Sequence, residues 1–241
     1  MAILTHTAIK AAIDKGEIVI APFDINCLGS NSYDVHLSKY FAEYCVDDIC
    51  LDAKKENKIF HYTIKEEGYL LKPNQLYLAT TIEYTETHNH VPFLEGKSST
   101  GRLGINIHAT AGKGDIGFCN YWTLEISVIE PVKVYPGMPI AQLIYHTIEG
   151  ENSNPYNKKE SAKYTQKDYR PQGSKMFKNK WSNELTFESL SKLAHQKGLK
   201  IDANKNMITG KVLYYEIYER EDQTLFTCKT LEEIKTYLDK L

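Results

Sequence analysis

The chain has no cysteine pair at C-x-x-C spacing, no apolar run of membrane-spanning length and no strong net charge. Each lack closes off a class of function. Five cysteines, Cys27, Cys45, Cys50, Cys119 and Cys228, make an odd count, which argues against both a disulfide framework and a structural zinc site. The opening stretch MAILTHTAIKAAIDKGE has no signal-peptide core, so a cytoplasmic protein without a membrane partner is expected. Lys plus Arg (29) nearly balance Asp plus Glu (31). No global field therefore draws nucleic acid, none is expected as a partner, and anion binding must come from local clusters.

What is present is ordinary for a globular chain: 241 residues, 42% hydrophobic and 25% charged, enough for one large or two small domains. Residues 7–15 suit a short helix, with Thr5 or Thr7 as cap and Gly16 past its end. Then β signals take over. EIVIAPF, SYDVHLSKYFAEY, QLYLATTIEY, INIHATA, YWTLEISVIE and PIAQLIYH are β-branched or aromatic runs, and Pro136-Gly137 marks a tight turn between the last two. Many short strands with little helix predict a mainly β fold, a sandwich, jelly roll or small barrel.

The pattern stops near 149. Residues 156–180 hold eight Lys/Arg against Glu160 and Asp168, a local balance of +6. The segment is too polar to build a core and reads as a basic arm. Beyond it, Thr186 can cap a helix with Leu185 and Leu190 at staple spacing, VLYYEIY and TLFTC read as a hairpin, and Thr230 with Glu233 opens a last helix. The expected layout is a core with its tail over 1–174 (tail 150–174) and an appended α-β-β-α module over 175–241.

Chemistry concentrates between 96 and 145. GKSSTGRLG offers the hydroxyls of Ser98 and Ser99 and the Arg102 guanidinium, good partners for phosphate oxygens. An ordinary capped turn is the bland alternative. It is not a P-loop, since Val91 stands where the first glycine is required. Asp115 lies in a Gly-rich loop, where a turn-forming role is the plain reading. Glu125 lies mid-strand on a face shared with Tyr121, Thr123 and Ser127. A lone glutamate there is usually just solvated, and its neighbourhood raises its interest. His108 reads as a satisfied core residue. THNH at 87–90 has no matching acidic or cysteine cluster in the sequence, and the H-x-E plus P-C-x-x-C arrangement of zinc deaminases is missing. No protein metal ligand and no zinc are expected.

GKSSTGRLG, then HATAGKGDIGF, then WTLEIS, together with SNSYDVHLS and the tail motif PYNKKESAKY, closely resemble the dCTP deaminase family, relatives of the dUTPases. The resemblance covers about 1–174. It implies a distorted jelly-roll or β-barrel core in a homotrimer with active sites between subunits. The Ser98–Arg102 turn would come from one subunit and the Asp115–Glu125 segment from its neighbour. By the same resemblance Glu125 activates water and shuttles protons, while Ser98 and Arg102 position the base and that water. Ser99 and Arg102 suit the phosphates, Asp115 holds the 3′-hydroxyl, Ala111 and Gly112 run along the nucleotide, and Phe118 walls the sugar. Gln142, Tyr156 and Lys163 take the triphosphate, with Mg²⁺ bound through the phosphates and water. Lys167 stands where the tail glutamine normally lies, three residues after Tyr164, so Gln166, one residue early, is the nearest candidate.

The expected reaction is deamination of dCTP to dUTP and ammonia. The alternative is a bifunctional enzyme yielding dUMP and diphosphate, suggested by Gly112 where single-activity deaminases carry His. A plain dUTPase is disfavoured by the missing glycine-rich tail. A non-catalytic nucleotide binder is disfavoured by an intact Glu125.

Overall fold

The computed structural model describes residues 2–45, 50–179, 185–220 and 223–241. These form two compact units, Met1–Lys178 and Asn179–Leu241. The first opens on α1 (His6–Asp14), followed by β1 (Ile18–Ala21), β2 (Tyr33–Tyr44), β3 (Ile59–Thr63), β4 (Tyr69–Leu71), β5 (Tyr77–Thr87) and β6 (Val91–Gly96). A single helical turn, α2 (Ser98–Arg102), leads to β7 (Ile105–Asn106), β8 (Cys119–Val128), β9 (Val132–Val134) and β10 (Pro139–His146). Among the described residues no helix is long and apolar enough to cross a membrane.

The strands form one antiparallel sheet in the order β6-β10-β2-β5-β8-β7, with β1 added to β5 and β3 to β2; β4 and β9 pair separately. Register shifts interrupt the β2/β5 ladder between Leu37 and Phe41 and the β5/β8 ladder between Thr80 and Tyr84. Such bulges bend a strand and sharpen its twist. The sheet curls until Phe93 of β6 bridges to Lys113 in the loop before β8. This is the mainly β, barrel-like core the sequence predicts.

Alternation explains the packing. Along β8 every second residue is buried, so Trp122, Leu124, Ile126 and Val128 enter the core with Leu37, Phe41, Ile140 and Leu143. Glu125 and its odd-numbered neighbours stay half-buried on the other side. Glycine is required at Gly137, where φ is +77° in the turn into β10.

The second unit contains α3 (Phe187–Gln196), β11 (Lys200–Lys205), β12 (Val212–Arg220), β13 (Gln223–Cys228) and α4 (Leu231–Asp239). The predicted caps form: Thr186 Oγ1 accepts from Ser189 N–H, and Thr230 Oγ1 from Glu233 N–H. Leu190, Ala194, Ile217, Ile234 and Leu238 make a separate core. The structure adds a third strand, β11, in front of the expected hairpin. Its sequence, KIDANK, has one large apolar residue, Ile201, too few for a strand signal; pairing along β12 makes it a strand.

Candidate active site

Glu125 is held from three directions. Its backbone lies in the ladder opposite Leu78 of β5, its N–H donates to the Ile107 carbonyl at 2.9 Å, and its Oε2 accepts from the Ala109 N–H at 3.0 Å. Among the described residues its second carboxylate oxygen makes no hydrogen bond, leaving it available to a ligand or water. Both bonding partners come from the segment after β7, so the loop that shapes the cleft also aims the carboxylate.

The cleft before Glu125 has a volume of about 390 Å³. Of the predicted residues, Ala111, Asp115, Phe118, Glu125 and Tyr156 line it. Phe118 lies 4.9 Å from the Trp122 ring and 6.0 Å from Tyr156, forming an aromatic wall. Asp115 pairs with Lys113 at 2.9 Å, both half-exposed, so the carboxylate is restrained loosely and can exchange Lys113 for a ligand hydroxyl. A larger cleft of about 540 Å³ lies between Ser38–Tyr40 of β2 and Tyr169. It contains none of the predicted residues and its only carboxylate is Glu66, which makes it the poorer candidate despite its size.

The basic arm, too polar to build a core of its own, is nonetheless anchored to the sheet. Asn120, buried in β8, donates through Nδ2 to the carbonyls of Tyr164 and Gln166 and accepts through Oδ1 from the Asp168 N–H. Thr80 Oγ1 donates to the Tyr169 carbonyl, and Tyr156 N–H to the Ile116 carbonyl. Pro155 and Tyr156 cross so close to Gly117 (φ +84°) that a Cβ there would lie 2.9 Å from both. The arm is a strap across the cleft. Tyr164 lines the cleft from the strap; burial pushes its phenol up, with Glu125 among the smaller contributors. Lys175, whose ammonium is pushed down by desolvation, lies 4.8 Å over that ring and donates to the Lys163 carbonyl.

The remaining predicted residues fall into two groups. Ser98, Ser99 and Arg102 lie on α2, all exposed and none lining this cleft; Arg102 donates to the Ser98 carbonyl at 3.3 Å. Gln142 belongs with them, its Nε2 donating to the Gly96 carbonyl just before the turn. Lys163 and Gln166 lie on the strap without lining the cleft; the Lys163 N–H donates to the Tyr156 hydroxyl, and Gln166 contributes its backbone carbonyl to Asn120. Within one chain the predicted residues therefore fall into a carboxylate group that lines the cleft and a serine-arginine group that does not.

Residues 3–148 match the family model described as dCTP deaminase-like. The chain belongs to that family. Two dCTP deaminases named as dUMP-forming are close relatives. The protein from Cytophaga hutchinsonii is 51% identical over 63% of this chain and 86% of its own length. The one from Hathewaya histolytica is 50% identical over 67% and 90%. Among solved structures, the 2′-deoxycytidine 5′-triphosphate deaminase from Agrobacterium tumefaciens superposes with a TM-score of 0.48 at 20% identity, over 60% of this chain and 48% of that one.

Within the deaminase-like core, Gly112 is buried rather than laid along the cleft. Its carbonyl accepts from the Leu94 N–H at 2.7 Å, and a Cβ would meet the Leu94 carbonyl at 2.6 Å and His108 Nε2 at 3.0 Å. No side chain fits there without moving β6 or the loop. His108 is half-buried beside that position, with Nε2 3.8 Å from Glu95 and, among the described residues, no hydrogen-bond partner at Nδ1, so it is not the satisfied core residue expected from the sequence. Sequence reasoning missed Asn120, Lys113 and Tyr164 as cleft residues. Only Asn120 carried a signal: an amide between apolar strand positions needs partners for all its polar atoms.

Proposed function

We propose that this chain deaminates dCTP and carries the product through to dUMP and diphosphate. The expectation that dUTP is the released product gives way to its alternative. The observation that carries the deamination is Glu125, anchored by one oxygen to the Ala109 N–H and presenting the other to the cleft. Two observations favour dUMP: the relatives that bear that name, and the side-chain-free packing at Gly112.

Overall, dCTP and two waters give dUMP, diphosphate and ammonia. In the first half, water adds to C4 of the cytosine ring while Glu125 takes its proton. Glu125 delivers that proton to N3, then takes the proton of the new C4 hydroxyl and passes it to the exocyclic amine, and the bond from C4 to that nitrogen breaks as the C4 carbonyl forms and ammonia leaves. Zinc enzymes lower the pKa of water from about 15.7 to about 7, roughly 12 kcal/mol of assistance. Here, concerted proton removal avoids free hydroxide. A near-attack geometry supplies roughly 7–11 kcal/mol, and hydrogen bonds aimed at the tetrahedral centre supply the rest. In the second half, water attacks the α-phosphorus and diphosphate leaves.

The cleft carboxylates are Asp115 and Glu125, the first paired with Lys113 and the second with a backbone N–H. That is no octahedral oxygen cage, and it suits a Mg²⁺ that arrives on the phosphates and keeps its waters. Such an ion neutralises phosphate charge alongside the basic strap. Ser98, Ser99, Arg102 and Gln142 reach the nucleotide from a second copy of the chain, in a trimer with shared sites.

Phosphorus NMR of a dCTP reaction in Mg²⁺, read with an ammonia assay, tests this. Diphosphate and dUMP should appear in step with ammonia. Accumulating dUTP would overturn the dUMP reading, and absence of ammonia would overturn deamination.

A further inference from the structure

We propose that Glu86, His88 and Cys119 form a site for a soft divalent cation of the Zn²⁺ class, outside the reaction cleft. In the sequence THNH looks isolated. Folding supplies the partners it lacks: β5 and β8 are antiparallel, and their register sets Glu86 directly opposite Cys119. His88 follows two residues after Glu86, just beyond the end of β5. One carboxylate oxygen, one imidazole nitrogen and the thiol sulfur then lie within 4.8 Å of one another.

Glu86 Oε2 and His88 Nε2 are already 3.0 Å apart. A tetrahedral zinc with bonds of about 2.0–2.3 Å wants its donor atoms roughly 3.3–3.8 Å apart, so modest side-chain rotations suffice. His88 is 40% exposed at its side chain and Glu86 28%, which gives both the freedom to rotate and leaves the cation an entry path. The outer layer is also built. Tyr84 donates to the other carboxylate oxygen of Glu86 at 2.8 Å, holding it in orientation while Oε2 binds.

The donor set selects the ion. Sulfur with nitrogen and one carboxylate favours zinc-class metals over Mg²⁺, which wants oxygen alone. Burial, with Glu86 adding, pushes the Cys119 thiol up. The cation therefore displaces a proton: S–H ionises, the sulfur–metal bond forms and the proton leaves to solvent. Cys119 now donates to the Gly117 carbonyl at 3.4 Å, a weak bond to give up.

The site is not a disguised catalytic zinc. Cys119 and Glu125 stand six residues apart on one strand, about 20 Å at roughly 3.3 Å per residue, so an ion there cannot reach the reacting carbon. Its influence runs through Tyr84, whose ring carries the Lys167 ammonium of the strap at 3.9 Å and lies 5.5 Å from Tyr121 of the cleft. A bound cation fixes Glu86, and so the aromatic platform under the strap.

The test is Co²⁺ titration of the chelator-treated full chain, followed by thiolate-to-cobalt charge-transfer absorption. One equivalent should produce the band, Zn²⁺ should remove it, and excess Mg²⁺ should leave it unchanged. Cys119→Ser should abolish the band and Cys228→Ser should retain it. His88→Ala should weaken Co²⁺ binding more than about tenfold, with circular dichroism confirming that each variant is folded. A misfolded Cys119→Ser leaves the decision to His88→Ala and Glu86→Gln, which must both weaken binding. An undiminished band in folded Cys119→Ser, unchanged affinity in His88→Ala, or no band in the unmutated chain overturns the site. Because it reads metal binding alone, its failure leaves the nucleotide chemistry standing, and the reverse holds too.

Discussion

Glu125 lies in the middle of β8, with β5 laddered to one side and the Ile107–Ala109 segment hydrogen-bonded to the other. Ser98, Ser99 and Arg102 lie on a single helical turn anchored mainly through buried Thr100, whose hydroxyl donates to the Lys97 carbonyl and accepts the Lys97 N–H. The carboxylate half is preorganised by its own chain. The serine-arginine half is exposed and makes few side-chain bonds. A proton carrier has to be aimed before substrate arrives, because a misplacement of about 1 Å costs on the order of a hundredfold in rate. A clamp for phosphate and base can be completed by a neighbour, and exposed donors on a short turn suit that use.

This division is open to attack. The largest effect is expected from mixing. Arg102→Ala and Glu125→Gln should each be nearly inactive alone, yet trimers reassembled from equal amounts should regain about a quarter of the wild-type sites, those pairing an intact turn with an intact carboxylate. No recovery after verified subunit exchange would place both halves in one chain's site. A smaller effect is expected on the strap. Asn120→Ala removes three strap hydrogen bonds to half-buried backbone groups, at about 0.5–1.5 kcal/mol for each bond lost. Cleavage between 150 and 178 by a nonspecific protease should speed up, and the KM for dCTP should rise more than kcat falls. Unchanged proteolysis would mean that Asn120 does not anchor the strap.

Alternation and turn chemistry were enough to read the β-rich core, the helix caps of the second unit and the mid-strand glutamate, because each is local. Residues that act across the fold were harder. Asn120 does its work through carbonyls more than forty residues later in the chain, and the strap's polar composition hides that its order comes from backbone groups rather than a core. Gly112 was noticed as a departure from histidine, but its physical reason, the Leu94 carbonyl 2.6 Å from where a Cβ would stand, exists only once β6 has packed against the loop. Glu86, His88 and Cys119 are brought together in the same way, by strand register.

In Glu125→Gln, ammonia release from dCTP is to be measured in a single turnover, beside dCTP affinity by calorimetry. Loss of the carboxylate should slow C–N cleavage by about 10²–10⁴-fold or more, with binding nearly unchanged. Ammonia released at the wild-type rate would contradict the claim that this side chain moves the protons.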